Sequence, residues 1–172
     1  MTEQRPDPNY LRLLAGLLAA PEADSLAVLA ALADDHTWLC EPVAELSYLG
    51  LPYWQAEHTS LFISNFPKTL CPPFESAYLR GESIGELAGL YLRAGLEAND
   101  MSPDYLGTML EYAAYLLEKP EFTDSDDNLW HELWDEHLAN WVPRFSSNLI
   151  STENCLLLYR CLGERLSALF DV

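Results

Sequence analysis

The densest run of side chains able to do chemistry is WHELWDEHLANW, residues 130–141. A helical zinc site of the protease type needs a second histidine four residues after the first, so that both ligands share one face. That position is Asp135 here, and His137 lies six residues from His131, on the opposite side. His131 and Asp135 could pair as ligands, but a third is missing. The competing assignment is packing, with Trp134, Leu138 and Trp141 inward and the charged groups in water. Cys71 is the next reactive candidate. A thiolate nucleophile needs a histidine or cation beside it, and the sequence offers Lys68 nearby and His58 on the preceding helix. A small buried apolar residue is the simpler role. There is no G-x-S-x-G, no phosphate-cradling glycine loop, no dinucleotide fingerprint and no triad spacing among the four histidines. The expectation is a protein without catalytic residues, metal or cofactor.

Charge points toward binding. The 172 residues carry 27 acids against nine lysines and arginines, a formal net charge of −18. Nucleic acid and anionic membrane surfaces are disfavoured partners, whereas a basic peptide or protein surface is steered in. Between Glu97 and Glu136 there are twelve acids and one base, Lys119. The bland reading of that run is a solvated face. Cys40, Cys71, Cys155 and Cys161 form no C-x-x-C pair, which suggests free thiols and a reducing cytoplasm. The longest apolar run, LLAGLLAA at 13–20, is too short to span a bilayer, and MTEQRPDPNY has no apolar signal core.

The elements that must position these residues are helical. Helical periodicity recurs along the chain, and β-alternation does not persist. The spacing predicts a helix that starts after Asp7-Pro8 and ends at Pro21, burying Leu11, Leu14, Leu17 and Leu18. A second from Asp24 places Leu26, Leu29, Ala30 and Ala33 on one face. A short third covers 42–48 and is ended by Gly50 and Pro52. A fourth covers 53–65, with Trp54, His58, Leu61, Phe62 and Phe66 near one side. A fifth starts at Ser83, with Glu86 completing a capping box, and presents Ile84, Leu87, Leu90, Tyr91 and Ala94. Ser102-Pro103-Asp104 signals a sixth that runs to Glu118. Residues 119–127 read as an acidic connector and possible hinge. A seventh helix covers 128–141, bent or ended by Pro143, and a last segment covers 151–170. The whole, residues 1–172, reads as one all-α domain, a bundle of seven to nine helices.

One passage interrupts the pattern. In CPPFESAYLRGE, residues 71–82, Pro72 and Pro73 cannot sit inside a helix. Aromatics crowd around the break: Tyr53, Trp54, Phe62, Phe66, Phe74 and Tyr78. An apolar groove edged by acids would suit a ligand that is part basic and part apolar.

The strings EHTSLFISNF and CPPFESAYLRGE together resemble the central signature of the TorD/DmsD/NarJ family, the redox-enzyme maturation chaperones. Glu57, Leu61, Phe62, Pro72, Pro73, Phe74, Glu75, Ser76 and Tyr78 match that motif. SPDYLGTMLEYAAYLL is similar to the family's second motif, through Pro103, Asp104 and Leu106. Two positions depart: His58 stands where the motif has tyrosine, and Tyr105 where it has histidine. If the two positions face each other, the exchange is compensatory.

The resemblance implies a TorD-like fold and a cytoplasmic, non-enzymatic chaperone. It would bind the apo catalytic subunit of a molybdopterin-dependent oxidoreductase, at its twin-arginine signal peptide or N-terminus. It would assist cofactor insertion and delay export until assembly is complete. Client contacts would come from Trp54, Leu61, Phe62, Phe66, Phe74 and Tyr78 for the apolar part, and from Glu75 and Asp104 for the arginines. Glu57, His58, Ser76, Pro103 and Tyr105 would complete the site, with Pro72 and Pro73 shaping the loop. A monomer or a domain-swapped dimer is expected, with no stable membrane insertion. The alternative is a non-catalytic subunit that stays in a redox complex.

Overall fold

Breaks in the helical pattern set the architecture. The computed structural model describes residues 4–97 and 101–171. Its helices are α1 (Pro8–Leu18), α2 (Ser25–Leu32), α3 (Cys40–Leu49), α4 (Leu51–His58), α5 (Ser83–Arg93), α6 (Leu106–Leu117), α7 (Asp124–His131), α8 (Ala139–Ser151) and α9 (Leu157–Ala168). Two π-wound stretches, Thr59–Ile63 and Glu132–Leu138, extend α4 and join α7 to α8. Among the described residues the only β pairing is an isolated antiparallel bridge between Phe74 and Tyr105. The all-α expectation is met.

The chain divides into two compact units. One takes residues up to Leu18 together with Pro73–Arg144, and the other takes Ala19–Pro72 with Phe145–Asp171. In the first unit α1 packs along α6. Leu11 and Leu14 on α1, and Leu106, Met109, Leu110 and Ala113 on α6, are fully buried. Each such leucine contributes about 1.5–3 kcal/mol relative to an exposed one. Arg12 adds exposed pairs across the two helices, at 2.5 Å to Glu111 and 2.6 Å to Glu118, which matter less because water screens them.

In the second unit Gly50 ends α3 and opens α4 at φ +89°, a left-handed conformation that glycine adopts without strain. Gly163 lets α9 approach the later part of α8. A Cβ there would lie 2.9 Å from Ile150 Cγ1 and 3.2 Å from the Ser146 carbonyl oxygen. Asn154, at φ 56°, turns the chain between α8 and α9.

Several local expectations need correction. Ala30 is exposed and Leu26 half-buried, so α2 buries mainly Leu29. Phe66 leaves the face it was expected to share with Trp54, because helical winding stops at Ile63 and Ser64 is extended. Ser83 is itself the first residue of α5 and caps nothing, and Ile84 is exposed. The capping box is instead at Thr123, whose hydroxyl accepts from the Asp126 N–H while the Asp126 carboxylate accepts from the Thr123 N–H. The connector expected at 119–127 is therefore helical from Asp124 onward. Pro143 neither ends nor interrupts α8. A proline ring presses on the carbonyl four residues earlier. That carbonyl belongs to Ala139, where the π winding gives way to α, so the change of pitch falls where relief is needed.

Candidate functional site

The signature loop is stitched to the turn before α6. Residues 73–75 run antiparallel to 104–106, with Glu75 N–H donating to the Asp104 carbonyl at 3.1 Å and Leu106 N–H to the Pro73 carbonyl at 2.9 Å. Pro73 suits the start of this segment, and Pro72 the residue before it, since proline favours extended backbone and supplies no N–H that would need a partner. The Asp104 carboxylate, 1% exposed, accepts from Ser76 N–H at 3.0 Å and Ser102 Oγ at 2.5 Å. Tyr91 Oη donates to the Pro103 carbonyl at 2.7 Å. A short 3-10 turn, Glu75–Ala77, then carries the chain to Tyr78.

Glu75 points inward. It is 0% exposed, and its carboxylate lies 2.9 and 3.1 Å from His137 Nδ1. The Glu86 carboxylate is 3.8 Å from His137 Nε2. The hydrogen bond to Glu75 raises the His137 pKa, against the lowering effect of burial, so the imidazolium is favoured. His137 was expected on the side away from His131, and it is: His131 faces solvent, 2.8 Å from Asp135. The sequence reading that turned all charged groups of this helix outward is corrected for His137. Its partner lies 62 residues away, and nothing in the local pattern signals it. Among the described residues no cluster of three or more His, Cys, Asp or Glu could hold a metal.

Three rings of this unit are half-exposed at the loop. Phe74 and Tyr105 pack with centroids 5.6 Å apart. Tyr78 stacks on buried Trp141 at 5.3 Å and 25°, with the Arg144 guanidinium 5.9 Å from its ring. Gly107 makes the Tyr105 position possible, because a Cβ there would lie 2.4 Å from the ring.

The remaining expected residues belong to the second unit. Trp54, His58, Leu61 and Phe62 are core. Trp54 Nε1 donates to Tyr159 Oη at 2.9 Å, and Phe62 sits edge-on to both His58, at 5.2 Å, and Tyr159, at 5.1 Å. Glu57 accepts from the backbone at Leu156 and, with Glu45 on the Leu157 N–H at 2.9 Å, places carboxylates at the start of α9. Burial raises the Glu57 pKa. Cys71 is fully buried, its N–H bonded to the Leu61 carbonyl at 2.7 Å, and burial pushes its thiol up. That is the setting of a packed thiol and not of a nucleophile. Burial likewise takes Cys155 to about 12. Phe66 is 94% exposed, and Tyr53, Ile63 and Leu70 are exposed as well.

The expected site residues are thus two sets. Pro73, Phe74, Glu75, Ser76, Tyr78, Pro103, Asp104 and Tyr105 lie in the first unit; Trp54, Glu57, His58, Leu61, Phe62, Phe66 and Pro72 lie in the second. The role expected for Glu75 and Asp104, facing a client's arginines, does not match their setting. Both are buried, and their oxygens are engaged by His137, Ser76 and Ser102. His58 and Tyr105 are each packed against rings of their own unit.

The family model described as "Nitrate reductase delta subunit" matches residues 17–147. Chaperone protein YcdY of Escherichia coli K12 is 27% identical over 90 residues, 52% of this chain and 47% of that protein. The match thus spans about half of that relative's length. A crystal structure of a candidate redox enzyme maturation protein from Archaeoglobus fulgidus superposes with a TM-score of 0.68 at 22% identity, covering 98% of this chain and 96% of that one. That likeness concerns the fold.

Proposed function

Because the chain belongs to the nitrate reductase delta subunit family, of the NarJ/TorD type, we propose that it is a non-enzymatic chaperone for a redox enzyme. Its client is the apo catalytic subunit of a molybdopterin-dependent oxidoreductase, grasped at a twin-arginine signal peptide or N-terminal segment. In the cytoplasm it assists cofactor insertion and delays export until assembly is complete. The carrying observation is the signature loop itself. Glu75 and Asp104 fix the loop from below, while Phe74, Tyr105 and Tyr78 stay half-exposed above. Apolar rings held in place before binding lose little entropy on binding. A basic segment is drawn in by the charge of −18, and its apolar part meets these rings. Trp54, His58, Leu61 and Phe62 serve as the packed support of their own unit, and Phe66 offers a second apolar contact there.

The test is a native pull-down from anaerobically grown source cells, with mass spectrometry of what co-purifies. A molybdopterin oxidoreductase subunit retaining its uncleaved N-terminus supports the reading and names the client. Phe74→Ala is expected to weaken capture of that subunit about tenfold, as loss of a central aromatic anchor does, with an unchanged thermal melt. Undiminished capture by Phe74→Ala moves the binding surface elsewhere. The second reading is a non-catalytic component retained in the finished complex. Fractionation separates the two, since a chaperone is absent from the mature enzyme.

A further inference from the structure

Arg5 lies in the segment just ahead of α1 and reaches across the start of α7. Its guanidinium carbon is 4.3 Å from the Phe122 ring centroid and 6.0 Å from that of Trp130, and a guanidinium nitrogen pairs with the Asp127 carboxylate. Two ring faces with a carboxylate at their edge make a receptor for a guanidinium. The planar cation stacks on the rings and its fork of N–H groups engages the acid. The receptor side is rigid. Trp130 is buried and stacked on Trp134 at 4.7 Å and 14°, and the Thr123–Asp126 capping box fixes the first turn of α7, which carries Asp127.

The ligand side is not part of the scaffold. Asp7 caps α1 by accepting from the Asn9 N–H at 2.7 Å and, through its carbonyl, from the Leu11 N–H at 3.1 Å. α1 is further tied to α6 through Arg12. Arg5 can therefore leave while α1 stays in place. Electrostatics favour a replacement cation. Residues 119–127 hold Glu121, Asp124, Asp126 and Asp127 against Lys119, which is already paired with Asp126 at 2.7 Å. Arg5 offsets this negative charge only in part.

We propose that Phe122, Asp127 and Trp130 form an arginine-receptor site held in cis by Arg5, which an arginine side chain of a partner polypeptide occupies by displacing it. The inference rests on guanidinium chemistry, so it stands or falls apart from the identity of any client.

The test uses the full chain and N-acetyl-L-arginine methylamide as probe, with the lysine analogue for comparison. Trp130 Nε1–H is followed by ¹H–¹⁵N NMR and assigned by Trp130→Phe. Arg5→Ala is expected to show saturable shifts at Trp130 and Asp127 with the arginine probe, and weaker ones with lysine. The wild type should need a severalfold higher probe concentration, because a tethered competitor acts at roughly millimolar effective concentration. Adding Asp127→Asn to Arg5→Ala should abolish the response, with the melting temperature checking the fold. No saturable shift in Arg5→Ala, or equal titrations of Arg5→Ala and wild type, overturns the proposal.

Discussion

At the base of the signature loop, the buried Glu75 carboxylate takes its hydrogen bond from His137. Removing the imidazole leaves a carboxylate out of water without its cation, so His137→Ala is expected to cost about 3–5 kcal/mol. The pair also sets a pH dependence. The folded pKa of His137 is raised, first by the hydrogen bond to Glu75. Stability from the imidazolium is then complete below the unfolded value of about 6.5 and is lost as pH rises through the higher folded value. Urea titrations should give a wider gap between wild type and His137→Gln at pH 6 than at pH 9. Equal gaps would mean that the pair carries no proton-linked stability. Asp104 is likewise buried at the base of the loop. With Ser76 and Ser102 bonded to it, its replacement is expected to act on the fold, so under the proposed chaperone role Phe74→Ala, and not a change at Asp104, is the variant expected to report on client binding.

Helix crossings and changes of winding decide what each unit presents. The approach of α9 to the later part of α8 rests on Gly163, beside the Ser146 carbonyl and Ile150. Gly163→Ala gains helix propensity but must push against backbone, and overpacking of this kind costs about 1–3 kcal/mol. A lowered midpoint in chemical denaturation is the expected outcome, and a raised one would show that α9 can slide aside freely. The π stretch Glu132–Leu138 matters in the same way. It carries His137 inward to Glu75 and hands the helix over to α winding at Ala139, four residues before Pro143. Helix existence was legible from periodicity, and so was the non-helical loop from its prolines. The π stretches were not, because a single i→i+5 turn leaves hydrophobic spacing almost unchanged over one window. The start of α7 was missed because its first turn, DSDD, looks like a solvated connector. It is stabilised by acids at a helix N-terminus and by the Thr123 cap.

For the molecule as a whole, charge is the dominant long-range property. On the proposed chaperone role, a protein at −18 should capture a basic N-terminal segment quickly at low salt. The association rate should fall about tenfold or more between roughly 50 and 500 mM salt, as the screening length shortens. Stopped-flow mixing with the client's N-terminal peptide reads this directly, and a salt-independent rate would leave the acidic surface a solubility device only. No helix among the described residues is long and apolar enough to cross a membrane.

By itself the sequence determined the helical class, the interrupted loop at 71–82 and the family, because periodicity, proline placement and the CPPFES string are local properties of the chain. Only the tertiary structure decided which signature residues work inside and which outside. Glu75 and Asp104 read as surface acids awaiting arginines, yet folding withdraws both from solvent and gives them His137, Ser76 and Ser102. Phe66 read as part of a helical face, yet it stands in solvent beyond the helix end. For the two acids the physical reason is the same. Burial and pairing depend on which residues meet across 28 or 62 positions of sequence, and no pattern within a single helical window carries that information.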